Sequence, residues 1–218
     1  QAKTDFLRRM SHDIRTPING ILGMIEIADN HPADIEKLQD CRHKIRQAAG
    51  TLLSLVSDIL DMNKLESGTL EPESVPFDIL ELLTEVNHLA GIQASAYGVT
   101  THVKNPPFPV RRVIGSPTFL RRVLLNLSGN ALKYNRRGGR IDFSCDKIEI
   151  KGDTAYFTLT CADTGIGMSE DFQKRAFEPF TQESNTARTR YMGTGLGLAI
   201  VKELVEKMDG TIALESQE

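Results

Sequence analysis

Between residues 35 and 66 apolar side chains recur at alternating steps of three and four, at Leu38, Cys41, Ile45, Ala48, Leu52, Leu55, Ile59 and Met62. That spacing is a heptad seam, and a chain that sustains one must form a long helix and give the seam a helical partner. A second stripe precedes it. With each residue set about 100° on from the last, Met10, Ile18, Ile21, Ile25 and Ala28 fall within about 40° of Ile14. His31-Pro32 separates the two helices, so they read as a hairpin with a short turn. A hairpin alone cannot bury both stripes. Pairing two copies into a four-helix bundle through residues 1–66 is the economical solution, and cover by the C-terminal half is the alternative. The opening QAKTDFLRRM has no capping signal before it and reads as mid-helix, as in a piece of a longer protein.

The stretch SHDIRTPING, residues 11–20, sits badly in such a helix. His12 falls about 160° from the apolar stripe, beside Arg8, Arg15 and Asn19, so it is expected to face water. Pro17 removes the N–H that would bond the carbonyl of Asp13 and loosens the helix beside that histidine.

After residue 66 the pattern changes. Residues 67–78, SGTLEPESVPFD, read as a linker. A helix from about Ile79 is expected to end at Gly98, VTTHVK and VRRVIG to alternate around the turn NPPFP, and Ser116-Pro117 to cap a helix reaching Tyr134. Paired strands RIDFSCDKIEI and TAYFTLTCAD follow, then a glycine-bearing loop, a short helix, a polar stretch, a helix over about Leu196 to Met208, and a last strand TIALES. Helices and a largely antiparallel sheet in mixed order predict a two-layer α+β sandwich. Of the 218 residues 25% are charged, and the net charge of -3 gives no basic excess to suggest nucleic acid or an anionic membrane surface. No apolar run approaches the roughly 18 residues of a membrane span, and three scattered cysteines fit a reducing, cytoplasmic setting.

Three segments carry possible chemistry. Asn126, Asn130 and Lys133 form one row on a helix, beside a separate apolar stripe. Such a row is either an ordinary polar face or a place for amide oxygen on a hard cation and ammonium on phosphate. Asp163-Thr164-Gly165-Ile166-Gly167 fixes a carboxylate at a strand end with two glycines behind it, which is either a turn or a site that accepts from the exocyclic amine of adenine. Gly193-Thr194-Gly195-Leu196-Gly197 runs into an apolar helix whose N-terminus favours phosphate, and it fits neither a Walker loop nor a dinucleotide fingerprint.

HDIRTP, NLSGNALKY, DTGIGM, FEPF and GTGLGLAIVKELVEKMDG, in that order, closely resemble the H, N, G1, F and G2 boxes of the sensor histidine kinases of two-component signalling. The resemblance implies a dimeric helical hairpin over residues 1–68 for dimerisation and histidine phosphotransfer. Over residues 69–218 it implies an ATP-binding sandwich of the histidine kinase, gyrase and chaperone ATPase type. His12 then resembles the phosphoacceptor, Asp13 the acidic neighbour that takes its proton, and Thr16 the residue assisting hydrolysis of the phosphorylated partner. Asn130 resembles the magnesium ligand, with Asn126 and Lys133 beside the ATP phosphates and Tyr134 near the base. Asp163 resembles the adenine-reading carboxylate, with Gly165 and Gly167 in its loop; Gly193, Gly195, Leu196 and Gly197 form the phosphate side. Residues 181–192 would be a lid over ATP, with Arg190 contacting the γ-phosphate and Phe177 and Phe180 anchoring it.

The implied activity is ATP-dependent autophosphorylation with transfer to the aspartate of a response-regulator receiver domain, and possible phosphatase action on it. The resemblance also implies the cytoplasmic portion of a membrane-anchored or multidomain sensor, without direct membrane or nucleic-acid contact in these residues. Met192 stands where many relatives carry another glycine, and the family usually adds one more strand after TIALES. A nucleotide-binding pseudokinase scaffold is the alternative reading, and an ATP-driven machine of the chaperone or gyrase kind lacks its transducer domain here.

Overall fold

A computed structural model describes residues 2–104, 110–183 and 195–217, except for the side chains of residues 2–9, 12, 66 and 146. The chain divides into two compact units, residues 1–67 and 68–218.

The first unit is the hairpin. Helix α1 spans Ala2–Asp29 and α2 spans Ile35–Glu66. Helix α1 runs through Pro17, whose ring is buried. The break is fixed locally: His31 Nδ1 lies 2.9 Å from the Ile27 carbonyl, and Asp34 caps α2 by accepting from Lys37 N–H at 3.0 Å. The heptad seam turns inward: Cys41 and Leu55 are buried, and Leu38, Ile45, Ala48, Leu52, Ile59 and Met62 are half-buried. Other apolar residues stay in water, with Leu22, Leu53 and Leu60 at 59%, 70% and 54% exposure and Ile18, Ile25 and Val56 exposed beside them in the chain pattern.

The second unit is a sandwich of helices on sheet. Its elements in order are β1 (Val75–Asp78), α3 (Ile79–Tyr97), β2 (Thr100–Lys104), β3 (Arg112–Gly115), α4 (Pro117–Lys133), β4 (Arg140–Lys151), β5 (Thr154–Asp163), α5 (Glu170–Gln173) and α6 (Gly197–Lys207). The helix boundaries follow from capping. Asp78 accepts from the N–H groups of Leu80 and Glu81, Gly98 ends α3 in the left-handed region at φ 66°, and Ser116 accepts from Phe119 N–H with Pro117 in the first turn of α4.

Three strand expectations are corrected. The end of the supposed linker, VPFD, is strand β1, paired antiparallel with β3. Pro76 lies opposite Ile114 in this two-stranded ribbon, where a missing N–H need not break a central ladder. Strands β2 and β3 do not pair around the NPPFP segment, whose residues 105–109 lie outside the described ones. Instead β2 runs parallel to β4, and β4 runs antiparallel to β5. Two separate cores pull β2 and β3 apart. Val103 of β2 packs on Ala90, Ala94, Ile141 and Phe143, whereas Val113 of β3 joins Phe77, Leu83, Val86 and Leu124. Finally, TIALES alternates in burial, with Ile212, Leu214 and Ser216 half-buried, but among the described residues it joins no ladder and is not a strand. Its period-two pattern buries side chains without the backbone pairing that defines a sheet.

Candidate nucleotide site

Helix α4 is the spine of the site. Its buried side carries Phe119, Val123, Leu124, Ser128, Ala131 and Leu132, which leaves Asn126, Asn130 and Lys133 half-buried on another face. Lys133 folds its ammonium over the ring of Tyr134, 4.8 Å from the centroid, and Tyr134 ends the helix.

Strand β5 delivers the second segment to the end of α4. Asp163 Oδ1 accepts from Gly165 N–H at 2.8 Å, and Ile166 N–H donates to the Tyr134 carbonyl at 3.1 Å. A Cβ on Gly165 would lie 2.5 Å from that carbonyl oxygen and 2.6 Å from Asp163 Oδ1, so only glycine allows this approach. Gly167 adopts φ 67° in the same loop. Two residues before Asp163, burial and the neighbouring carboxylate push the Cys161 thiol up to about 12, so it stays protonated.

The third segment arrives at the N-terminus of α6. Gly197 sits beside Asn130, whose Nδ2 is 3.7 Å from where a Cβ on the glycine would be. Leu196, at the N-cap of α6, makes no side-chain cap hydrogen bond among the described residues. Ala199, Ile200, Val201 and Leu204 bury its other side and fix its direction. Gly195 has φ 67°, accepts at its carbonyl from Phe180 N–H at 2.9 Å, and packs so closely that a Cβ would lie 2.8 Å from the Phe180 carbonyl carbon. Phe180 itself has φ 64°, a backbone conformation uncommon for a bulky residue.

Asn130, Tyr134, Asp163, Gly165, Gly167, Gly195, Leu196 and Gly197 are therefore joined through α4 and its neighbours, with Asn126 and Lys133 on the same helix face. Arg190, Gly193 and residues 184–192 of the expected lid lie outside the described residues. On the hairpin the side chain of His12 also lies outside them, while Arg15 and Asn19, its companions on that face, are exposed and Asp13 and Thr16 are half-buried. The sequence reading missed Asn135, which follows the recognised row and bonds to Thr164. Among the described residues no three His, Cys, Asp or Glu side chains cluster as a metal site.

Known proteins match both units in the same order. The His Kinase A (phospho-acceptor) domain matches residues 2–68, and the histidine kinase-, DNA gyrase B- and HSP90-like ATPase matches residues 115–218. The chain belongs to the sensor histidine kinases. Sensor histidine kinases similar to it include hybrid signal transduction histidine kinase A of Dictyostelium discoideum, 35% identical over 99% of this chain and 10% of that protein. The signal transduction histidine-protein kinase BarA of Escherichia coli K12 is 35% identical over 99% of this chain and 23% of its own length. Full-length ShkA, solved in complex with AMPPNP, is 33% identical with a TM-score of 0.63, covering 93% of this chain and 41% of that one. The chain thus spans less than a quarter of the two curated histidine kinases.

Proposed function

We propose that this chain is the catalytic core of an ATP-dependent protein-histidine autokinase, in which residues 1–68 dimerise and carry the phosphoacceptor His12 and residues 69–218 bind ATP. The observation that carries this is the meeting of the Asp163 loop and the Gly197 helix terminus on α4, in one chain with a phospho-acceptor hairpin. In this reading Asp163 accepts from the adenine amine near Tyr134. Asn126, Lys133 and the α6 terminus with Gly193, Gly195, Leu196 and Gly197 face the phosphates, and Arg190 reaches the γ-phosphate. Magnesium fits as an ion held by Asn130 and nucleotide oxygens, because it keeps several waters and needs few protein ligands. When bound, it neutralises charge on the phosphates.

A neutral imidazole nitrogen of His12 attacks the γ-phosphorus, the bond to the bridging oxygen of ADP breaks, and Asp13 takes the imidazole proton. An unperturbed histidine, with pKa about 6.5, is largely neutral at pH 7. Most of the acceleration comes from in-line positioning and charge neutralisation. The N–P bond formed is a donor to a carboxylate, which suits transfer to a response-regulator aspartate, with Thr16 assisting later hydrolysis. The exposed apolar residues of the hairpin suit a second copy, making the dimer a homodimer. No described helix is long and apolar enough to cross a membrane, and the core is read as the cytoplasmic portion of a larger sensor. The test is γ-labelled ATP: acid-labile label is expected on the wild-type chain and not on His12→Gln, and equal labelling of both sinks the assignment.

A further inference from the structure

The end of α4, the first residue of β4 and the Asp163 loop are tied together by two side chains that the proposed reaction does not use. Asn135 Oδ1 accepts from Arg136 N–H at 3.0 Å and from the Thr164 hydroxyl at 3.3 Å, while Asn135 Nδ2 donates to the Arg140 carbonyl at 3.2 Å. That amide orientation is fixed by its neighbours, since the reverse would set NH2 against the Arg136 N–H and oxygen against the Arg140 carbonyl. The Thr164 hydroxyl accepts from Arg140 N–H at 2.9 Å, and Thr164 N–H donates back to the Arg140 carbonyl at 3.1 Å. Both side chains are half-buried and crowd the space where a Cβ of Gly139 would stand, so the clasp needs glycine there.

Thr164 lies between Asp163 and Gly165, the two residues joined by the 2.8 Å bond that holds one oxygen of the Asp163 carboxylate. We infer that Asn135 and Thr164 are a positioning pair that sets the angle of the Asp163 carboxylate and thereby the preference for an adenine base over one bearing a carbonyl in place of the amine. The inference rests on the reading of Asp163 as the adenine-facing carboxylate. Without the two side chains, the loop keeps its backbone bonds, Thr164 N–H to the Arg140 carbonyl and Ile166 N–H to the Tyr134 carbonyl, but can tilt between them. A tilt that turns the carboxylate blunts discrimination between bases. The phosphate contacts proposed beside Gly197 come from the start of α6, a separate segment.

The test compares dissociation constants for ATP and inosine triphosphate, which presents a carbonyl where adenine has its amine, on the whole chain. The wild type is expected to favour ATP at least tenfold. Asn135→Ala and the near-isosteric Thr164→Val are expected to reduce that ratio at least fivefold, and Thr164→Ser, which keeps the hydroxyl, to preserve it. Thr164→Val carries the test where Asn135→Ala folds poorly. An unchanged ratio in Asn135→Ala or Thr164→Val, even with a lower melting temperature or weaker binding of both nucleotides, overturns the inference and leaves the pair a structural one. A wild-type ratio near one, or a wild-type ratio in Asp163→Asn, overturns the reading of Asp163 and the inference with it.

Discussion

Gly165 shows how one missing methyl group sets a site. A Cβ there would meet the Tyr134 carbonyl at 2.5 Å, and a backbone oxygen at a helix end cannot step aside as a flexible side chain would. Gly165→Ala is expected to keep the fold and to weaken ATP binding about tenfold, or roughly 1.4 kcal/mol, in titration calorimetry; unchanged affinity would show that the loop has room to move. Asp78 makes a different point. Its carboxyl is held below the ordinary aspartate range, first by the Glu81 N–H; burial, the next effect, opposes this, and the Arg111 guanidinium and the Leu80 N–H then add to the lowering. The folded chain therefore takes up that proton less readily than the unfolded one. Its contribution is full above the ordinary aspartate range and is lost as pH falls through the folded value. Asp78→Asn keeps an N-cap oxygen but does not titrate, so between pH 6 and pH 3 its urea midpoint is expected to fall less than that of the wild type. Equal falls would assign the acid sensitivity to other groups.

At the scale of elements, periodicity and the pairing of the adjacent strands β4 and β5 were readable, and pairing between strands far apart in the chain was not. The seam from Leu38 to Met62, the Ser116 cap and the Gly98 terminus are local signals, and each is found where the spacing or the residue type put it. The row of Asn126, Asn130 and Lys133 is half-buried on one face for the same reason. Which strand lies beside which depends on contacts distant in sequence. Alternation in TTHVK and RVIG marks both as strands, yet Val103 and Val113 belong to different cores, and nothing near either residue says so. Asn135 was illegible in a related way, because its partners Thr164 and Arg140 come from other elements. The hairpin yields a prediction at this scale. Leu53 is 70% exposed and Leu22 59%, and burying such a side chain contributes about 1.5–3 kcal/mol. Leu53→Asp and Leu22→Asp are each expected to move the chain from dimer to monomer in sedimentation at micromolar concentration. A dimer of undiminished affinity in both variants would place the interface elsewhere.

For the whole molecule, the division after Ser67 separates a helical unit from one with its own buried core. ATP with magnesium, binding only the second unit, is expected to raise one of two calorimetric transitions. At a hundred times the dissociation constant the gain is about 2.7 kcal/mol. A single transition, or an equal rise in both, would mean that the units unfold together. The bond between Phe180 and Gly195 has a consequence of its own. It clasps together two residues that both hold a positive φ, 64° at Phe180 and 67° at Gly195, so the unusual backbone of each is braced by the other and loss of the bond would release both.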